Sequence, residues 1–156
     1  MSGLVEVSTT VEAATEEVFA LVADLARMGE WSPETTDVVW LDGATEPRPG
    51  ARFRGTNRHG SRRWTTTCTV VTVEPGRELS WRSSTKGLGV ALWRYRFEPD
   101  GRGATVVTES TEDERGFLVR ALAPIVTGVG DRTSHNTETM RATLARIKAE
   151  AERTSA

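Results

Sequence analysis

The sequence predicts an α+β fold in which a curved antiparallel sheet of about seven strands wraps around a long C-terminal helix. Apolar and polar residues alternate over residues 92–98, so that Trp93, Tyr95 and Phe97 share one face of a strand. Near the C-terminus, apolar residues recur every three or four positions, which is the helical period. A sheet with one wet face must cover its other face, and this helix is the only long amphipathic element left to do so.

The N-terminal segment predicts a strand, a helix and a second strand. Residues 4–11 alternate as a half-buried strand does. Thr15 precedes two glutamates and is expected to cap the following helix. Residues 38–41 begin the second strand, and a turn at residues 42–43 closes it. The expected buried face of the helix consists of Val18, Leu21, Val22 and Leu25.

The middle of the chain predicts a meander of five further strands. Turn residues separate them at Pro75-Gly76, at Leu88-Gly89 and at Pro99-Asp100-Gly101. No internal repeat or linker interrupts the pattern, so residues 1–156 are expected to form one domain. The strands are predicted at residues 51–57, 64–73, 79–83, 92–98 and 104–111.

The long helix is predicted from Pro124 to about Glu152, and its stripe is mixed in character. The stripe consists of Val129, Thr133, Asn136, Met140, Leu144, Ile147 and Ala151. Its C-terminal half is typical of a core, whereas Thr133 and Asn136 place polar groups in the N-terminal half, and a buried polar group is costly without a partner. Either that half leaves the core, or it lines a cavity.

Aromatic residues on the facing strands favour the cavity. Trp81, Trp93 and Tyr95 point at the end of the helix that carries Thr133 and Asn136. Bulky rings opposite small and polar groups are typical of an enclosed small-molecule site. The same wall would include Phe53, Thr67 and Met140. Trp31 would either stand near the mouth or pack under the first helices.

Composition excludes several classes of function. The net charge of -2 argues against non-specific nucleic-acid binding, which requires a basic surface. No apolar run approaches the roughly 20 residues of a membrane span, and no signal peptide is recognised. Cys68 is the single cysteine, which suits a cytoplasmic location, and its strand context predicts a small core residue.

Conventional catalytic motifs are missing from the sequence. With only His59 and His135, a histidine-rich metal site is not expected, and no cofactor is predicted. His135 is the better candidate for a general base, although a surface histidine is the more common outcome, and no acidic partner lies at helical or strand spacing. Glu109 would have a raised pKa if it pointed inward, but we expect it to point outward.

A set of short motifs, in their order and spacing, resembles the SRPBCC, or START-like (Bet v 1-like), superfamily with its helix-grip fold. The chain is most similar to the polyketide cyclase/dehydrase and lipid-transport group of that superfamily. The resemblance implies a cavity for a hydrophobic ligand between sheet and helix. The motifs are Thr15-Glu-Glu-Val-Phe19, Trp31-Ser-Pro33, Pro49-Gly50-Ala-Arg-Phe53, Pro75-Gly76-Arg-Glu-Leu-Ser-Trp81, Trp93-Arg-Tyr-Arg-Phe-Glu-Pro-Asp-Gly101, Gly103-Ala-Thr-Val-Val107 and Leu144-Ala-Arg-Ile-Lys148.

The resemblance also implies where cyclase chemistry would take place. Aromatase/cyclases of this family use a cavity arginine on the long fourth strand, with hydroxyl groups nearby. Counting back from Pro75, the matching inward position is Val71, with Thr69 and Thr67 as its inward neighbours. The hydroxyls match and the arginine does not, which disfavours cyclisation.

Two functions therefore remain open, beside the alternative of a closed core without a cavity. The first is binding or transfer of a lipid, quinone or polyketide-like molecule; the second is a polyketide cyclase, aromatase or dehydrase activity on a bound intermediate. A basic strand edge would suit an acidic partner such as an acyl carrier protein, although a solvated face is its ordinary explanation. That edge consists of Arg48, Arg52, Arg54, Arg58, Arg62 and Arg63.

Overall fold

The computed structural model describes residues 4–116, 121–122, 124–125 and 132–155. Seven antiparallel strands form one sheet in the order β1-β7-β6-β5-β4-β3-β2, and the long C-terminal helix packs against it. This confirms the predicted α+β, helix-grip architecture. The elements are β1 (Leu4–Val11), α1 (Thr15–Ala23), a 3₁₀ segment (Leu25–Glu30), β2 (Thr35–Trp40), β3 (Arg52–His59), β4 (Arg62–Glu74), β5 (Glu78–Thr85), β6 (Leu88–Pro99), β7 (Thr105–Asp113) and α2 (Arg132–Ser155).

The core lies between α2 and the inner face of the sheet. Met140, Leu144 and Ile147 are buried on α2, which confirms the C-terminal half of the predicted stripe. Tyr95 and Phe97 are buried on β6, as the alternation over that strand predicts. The described part of the helix begins at Arg132; residues 126–131, including the predicted stripe position 129, lie outside the described residues.

The expected cap of α1 is wrong. Ala14 occupies the N-cap position, and no side chain caps the helix. Thr15 lies inside the first turn, and its Oγ1 is 3.2 Å from Oγ1 of Thr105. Thr105 in turn donates a hydrogen bond to the carbonyl of Ala13 at 2.8 Å. The hydroxyl of Thr15 therefore takes part in contacts between α1 and β7, which a local capping pattern does not reveal.

The turn between β5 and β6 lies two residues earlier than expected. Lys86 and Gly87 both have positive φ, at 50° and 80°, as a two-residue hairpin turn requires. Leu88 and Gly89, the expected turn, already pair with β5 as strand residues. A lysine in the left-handed region is uncommon, so the sequence signal at this turn was weak.

Within the described residues, no helix has the length and apolar character needed to cross a membrane.

Candidate functional site

A cavity of about 740 Å³ lies between the inner face of the sheet and the N-terminal half of α2. Its size is in the range of small-molecule sites. All of the wall residues expected from the sequence except Trp31 border it. They are Phe53, Thr67, Trp81, Trp93, Tyr95, Thr133, Asn136 and Met140.

Aromatic rings form the wall on the sheet side. Phe53 of β3 contacts Trp81 of β5 edge to face at 5.7 Å between ring centroids. Trp81 stacks on Tyr95 of β6 at 5.8 Å, and Trp93 pairs with Trp81 in the sheet register. These contacts arise because alternate residues of neighbouring strands share one face. The result is a continuous apolar surface suited to a flat or elongated apolar molecule.

Glu109 of β7 points into this cavity, so the expectation of an outward side chain is wrong. It lies opposite Tyr95 in the register of β6 and β7 and is only 4% exposed. Burial raises the pKa of Glu109 to about 8, and a hydrogen bond with Tyr95 acts in the opposite direction. Burial is also the main reason that the pKa of Tyr95 is raised well above its ordinary value. Both groups are therefore predominantly neutral at pH 7.

Thr111 is a second polar group on the same wall, and the sequence did not single it out. It follows Glu109 by two residues on β7, lies opposite Trp93 and is 2% exposed. Neither Oε1 of Glu109 nor Oγ1 of Thr111 has a hydrogen-bond partner among the described residues. Buried polar atoms are normally paired, so these two atoms mark the chemically distinctive part of the cavity.

The wall also contains polar groups that are already satisfied. Asn57 of β3 is buried; its Oδ1 accepts a hydrogen bond from the hydroxyl of Thr35 at 2.9 Å, and its Nδ2 donates to Oγ1 of Thr66 at 3.2 Å. Thr143 of α2 donates to the carbonyl of Thr139 at 2.7 Å.

Cys68 borders the cavity as a protonated thiol. Burial raises its pKa to about 12, which makes a reactive thiolate unfavourable at neutral pH. This placement confirms the prediction of a small core residue.

A β-bulge at Val71 reverses the side-chain parity expected for β4. Val71 is left over between the paired residues Val70 and Thr72, and its side chain is exposed. Counting back from Pro75 in steps of two therefore follows the inner face only as far as the bulge. Residues 69 and 67, on the other side of the bulge, lie on the outer face. Thr67 and Thr69 lie opposite exposed arginines of β3, so the expected inward positions are wrong. Thr67 borders the cavity even though the register does not place it on the inner face. The buried or half-buried inner-face positions are Trp64, Thr66, Cys68, Val70 and Val73, and none of them is an arginine. Arg62 shares their parity at the exposed start of the strand, where its Nη1 donates to the carbonyl of Ile125 at 2.7 Å.

A charged cluster lies at the rim of the cavity. Oε2 of Glu34 is 2.6 Å from Nε2 of His135 and 3.0 Å from Nη1 of Arg132. The guanidinium of Arg132 lies 5.9 Å from the ring of Trp64, and the ring of His59 packs edge to face on His135 at 4.8 Å. His135 thus has an acidic partner after all, supplied by the segment before β2. Because Nε2 of the imidazole already contacts Glu34, His135 is better placed to stabilise the rim cluster than to act as a general base.

The two polar residues of the helix stripe differ in their surroundings. Thr133 is exposed at the cavity edge, whereas Asn136 is half-buried and its Oδ1 lies 3.5 Å from Nη1 of Arg132. The polar half of the stripe therefore combines both alternatives left open by the sequence: its beginning is solvated, and its next turn borders the cavity.

Trp31 is placed in the core rather than at the mouth. It is 3% exposed, and the guanidinium of Arg27 lies 5.3 Å from its ring. Arg146 of α2 donates to its backbone carbonyl at 3.4 Å. Trp31 thus packs beneath the first helices. The sequence between Gly29 and Pro33 does not distinguish this position from one at the mouth of the cavity.

The basic strand edge is exposed and partly neutralised. Arg52 pairs with Asp42 at 2.9 Å, and Arg48 pairs with Glu46 at 2.7 Å. Across the described ranges, no cluster of three or more His, Cys, Asp or Glu side chains is arranged to hold a metal ion.

Comparison with known structures supports the same fold. The di-domain ARO/CYC StfQ from the steffimycin biosynthetic pathway matches with a TM-score of 0.75 and 17% identity over 99% of this chain, which spans about half (52%) of StfQ. The Zhui aromatase/cyclase of a Streptomyces species matches with a TM-score of 0.72 and 18% identity over 98% of this chain and 95% of that protein. At such identities the likeness concerns the fold alone.

Comparison by sequence places the chain in a family. A Polyketide_cyc-like protein from Corynebacterium glutamicum is 32% identical over 97% of this chain and 86% of that protein, with a TM-score of 0.55. A comparison with curated proteins finds no match. The family model for polyketide cyclase/dehydrase and lipid transport matches residues 3–152, which is nearly the whole chain. The chain therefore belongs to the polyketide cyclase/dehydrase and lipid transport family.

Proposed function

We propose that this protein binds or transfers a hydrophobic small molecule in the cavity between the sheet and α2. The observation that carries the proposal is the cavity of about 740 Å³ with stacked Trp81 and Tyr95 on its wall. Burying an apolar ligand against such rings supplies the main favourable free energy of binding. Lipids, quinones and polyketide-like compounds are the ligand classes that suit this shape and polarity.

Native mass spectrometry of the freshly purified protein tests the proposal. We expect an added mass that disappears after extraction with an organic solvent, because an apolar ligand that is bound tightly against aromatic rings is retained through purification. Retention should fall in Asn136→Leu for a ligand that bears a carbonyl or hydroxyl, while the fold remains stable. Glu138→Leu, on an exposed position of the same helix, is the matched control. The proposal would be contradicted if the protein neither retains an apolar ligand nor binds one that is added. It would also be contradicted if the Asn136→Leu variant unfolds.

A second candidate function is catalysis on a bound polyketide intermediate. Glu109 favours it, because a buried carboxyl whose pKa is about 8 can both give and take a proton near neutral pH. In a cyclisation with loss of water, the ionised fraction of Glu109 would take a proton from the carbon between two carbonyls, and that carbon would form the new bond to a ketone carbon. Glu109 would return the proton to the resulting alkoxide, then take the remaining proton of the same carbon and give it to the hydroxyl, which leaves as water. Arg62 and Arg63, at the start of β4, are exposed, and no arginine occupies the buried inner-face positions of this strand, which weighs against the mechanism that the resemblance implies.

The two candidates differ in the expected effect of Glu109→Gln. An enzyme should lose turnover of a β-keto thioester substrate in this variant while it keeps affinity for the substrate, because glutamine preserves size but cannot exchange the proton. A binding protein should show no turnover before or after the substitution. Thr143→Val is the matched control, since Thr143 borders the same cavity with a hydroxyl that is already bonded.

A further inference from the structure

We propose that Glu109 and Thr111 form a two-point hydrogen-bonding site that selects an uncharged apolar molecule carrying a hydroxyl or carbonyl group. This inference rests on the proposed binding function and defines the ligand class further. Both side chains border the cavity and are nearly fully buried. Oε1 of Glu109 and Oγ1 of Thr111 lack hydrogen-bond partners among the described residues, so a ligand that pairs with them removes the cost of their desolvation.

The spacing of the two groups suits one ligand. Alternate residues of a strand point to the same face about 7 Å apart at their Cα atoms, so one polar group of a bound molecule can reach either side chain or lie between them. Tyr95 and Trp93 lie directly opposite Glu109 and Thr111 in the register, and their rings provide apolar contact beside the polar atoms. This pairing of rings with polar points is typical of sites that orient an apolar ligand by its oxygen atoms.

The charges around the cavity favour a neutral ligand over an anion. Arg115 is paired with Asp113 at 2.9 Å, and Arg132 is paired with Glu34 at 3.0 Å. The other two cationic residues in the described wall, Arg63 and Lys86, are exposed. A carboxylate of the ligand beside Glu109 would therefore meet the carboxyl group of Glu109 and aromatic rings. No unpaired buried cation is present in the described wall to offset the desolvation of that carboxylate.

Titration calorimetry with a matched tricyclic series tests the inference. The probes are fluorene, fluorenol, fluorenone and fluorene carboxylate, which share one apolar body and differ in the polar group. We expect fluorenol and fluorenone to bind at least about tenfold more tightly than fluorene, and fluorene carboxylate to bind most weakly at pH 7.

Substitutions locate the origin of that preference. Thr111→Val and Glu109→Leu remove the polar atoms and should reduce the preference for the oxygenated probes to about twofold or less, while affinity for fluorene stays the same or rises. Thr143→Val should leave the preference unchanged, because the hydroxyl of Thr143 is already bonded within α2. Thermal unfolding confirms that each variant is folded, and Thr111→Val alone carries the test if Glu109→Leu does not fold.

The results separate the two levels of the proposal. If no member of the series binds, both the proposed function and this inference are overturned. If fluorene binds as tightly as fluorenol, or if the preference survives both Thr111→Val and Glu109→Leu, the binding function stands and the two-point site is overturned.

Discussion

Tyr95 of β6 and Glu109 of β7 lie directly opposite each other in the antiparallel register, and both side chains are buried on the inner face of the sheet. Directly opposed side chains in such a pair have Cβ atoms roughly 5 Å apart, so the phenol and the carboxyl share one apolar environment. Burial raises the pKa of both groups. Trp81 and Trp93 lie beside this hydrogen-bonding pair on the wall of the cavity.

The stability of the protein should fall with rising pH because of Glu109. Its pKa is raised from 4.5 to about 8, so between these values the folded state holds a proton that the unfolded state has released. The stabilising effect of this proton is complete below pH 4.5 and is lost as the pH rises through about 8. At about 1.4 kcal/mol per pH unit, the loss over this window is at most roughly 5 kcal/mol.

Urea unfolding of wild type and Glu109→Gln between pH 4.5 and pH 8.5 measures this effect. The variant should gain stability relative to wild type across the window, since glutamine does not titrate. Glu112→Gln, on the same strand but half-exposed, is the control and should follow the wild-type profile. If the free energies of unfolding of Glu109→Gln and wild type change in parallel with pH, Glu109 is not a buried carboxyl that is protonated in the folded state.

Ligand binding should change the fluorescence of the tryptophans on the cavity wall and not that of the core tryptophan. Trp64, Trp81 and Trp93 border the cavity, whereas Trp31 packs beneath the first helices with Arg27. Trp93→Phe should therefore remove a large part of the emission change caused by fluorenol, and Trp31→Phe should retain it. A loss of the response in Trp31→Phe alone would place the ligand elsewhere.

Leu144→Ala should cost about 2–5 kcal/mol of stability, because Leu144 is 2% exposed between α2 and the sheet. Chemical denaturation at a fixed pH measures this cost. Arg141→Ala, on an exposed position one turn earlier, provides the control and should change the free energy of unfolding little. A cost well under 1 kcal/mol for Leu144→Ala would be incompatible with a core position.

Glu34→Ala should destabilise the start of α2. The substitution leaves Arg132 and His135, whose side chains are 19% and 16% exposed, without their shared carboxylate. The expected loss is roughly 1–3 kcal/mol, together with faster amide exchange in the first turns of the described helix. Glu30→Ala, which removes the exposed partner of Arg27, is the control and should leave exchange in α2 unchanged. Unchanged exchange in Glu34→Ala would show that the rim cluster does not hold α2 in place.

The architecture could be predicted from the sequence because its signals are local and periodic. The helical stripe through Met140, Leu144 and Ile147 and the alternation through Tyr95 and Phe97 each repeat over enough residues to identify the buried face. A covering helix then follows from the need to bury one side of the sheet. The aromatic part of the cavity wall follows from the same alternation, without knowledge of the register.

The polar part of the site depended on the tertiary structure. The strand of Glu109 contains two adjacent valines, Val106 and Val107, which point to opposite faces, so only pairing with β6 decided that Glu109 lies opposite Tyr95 on the inner face. The inner face of β4 depended on a bulge at Val71, because one extra residue reverses the alternation beyond it. His135 acquired its acidic partner from Glu34, which is 101 residues away in the chain. Periodicity thus determines which face of an element is buried, whereas register, bulges and long-range contacts determine which polar groups share that buried space.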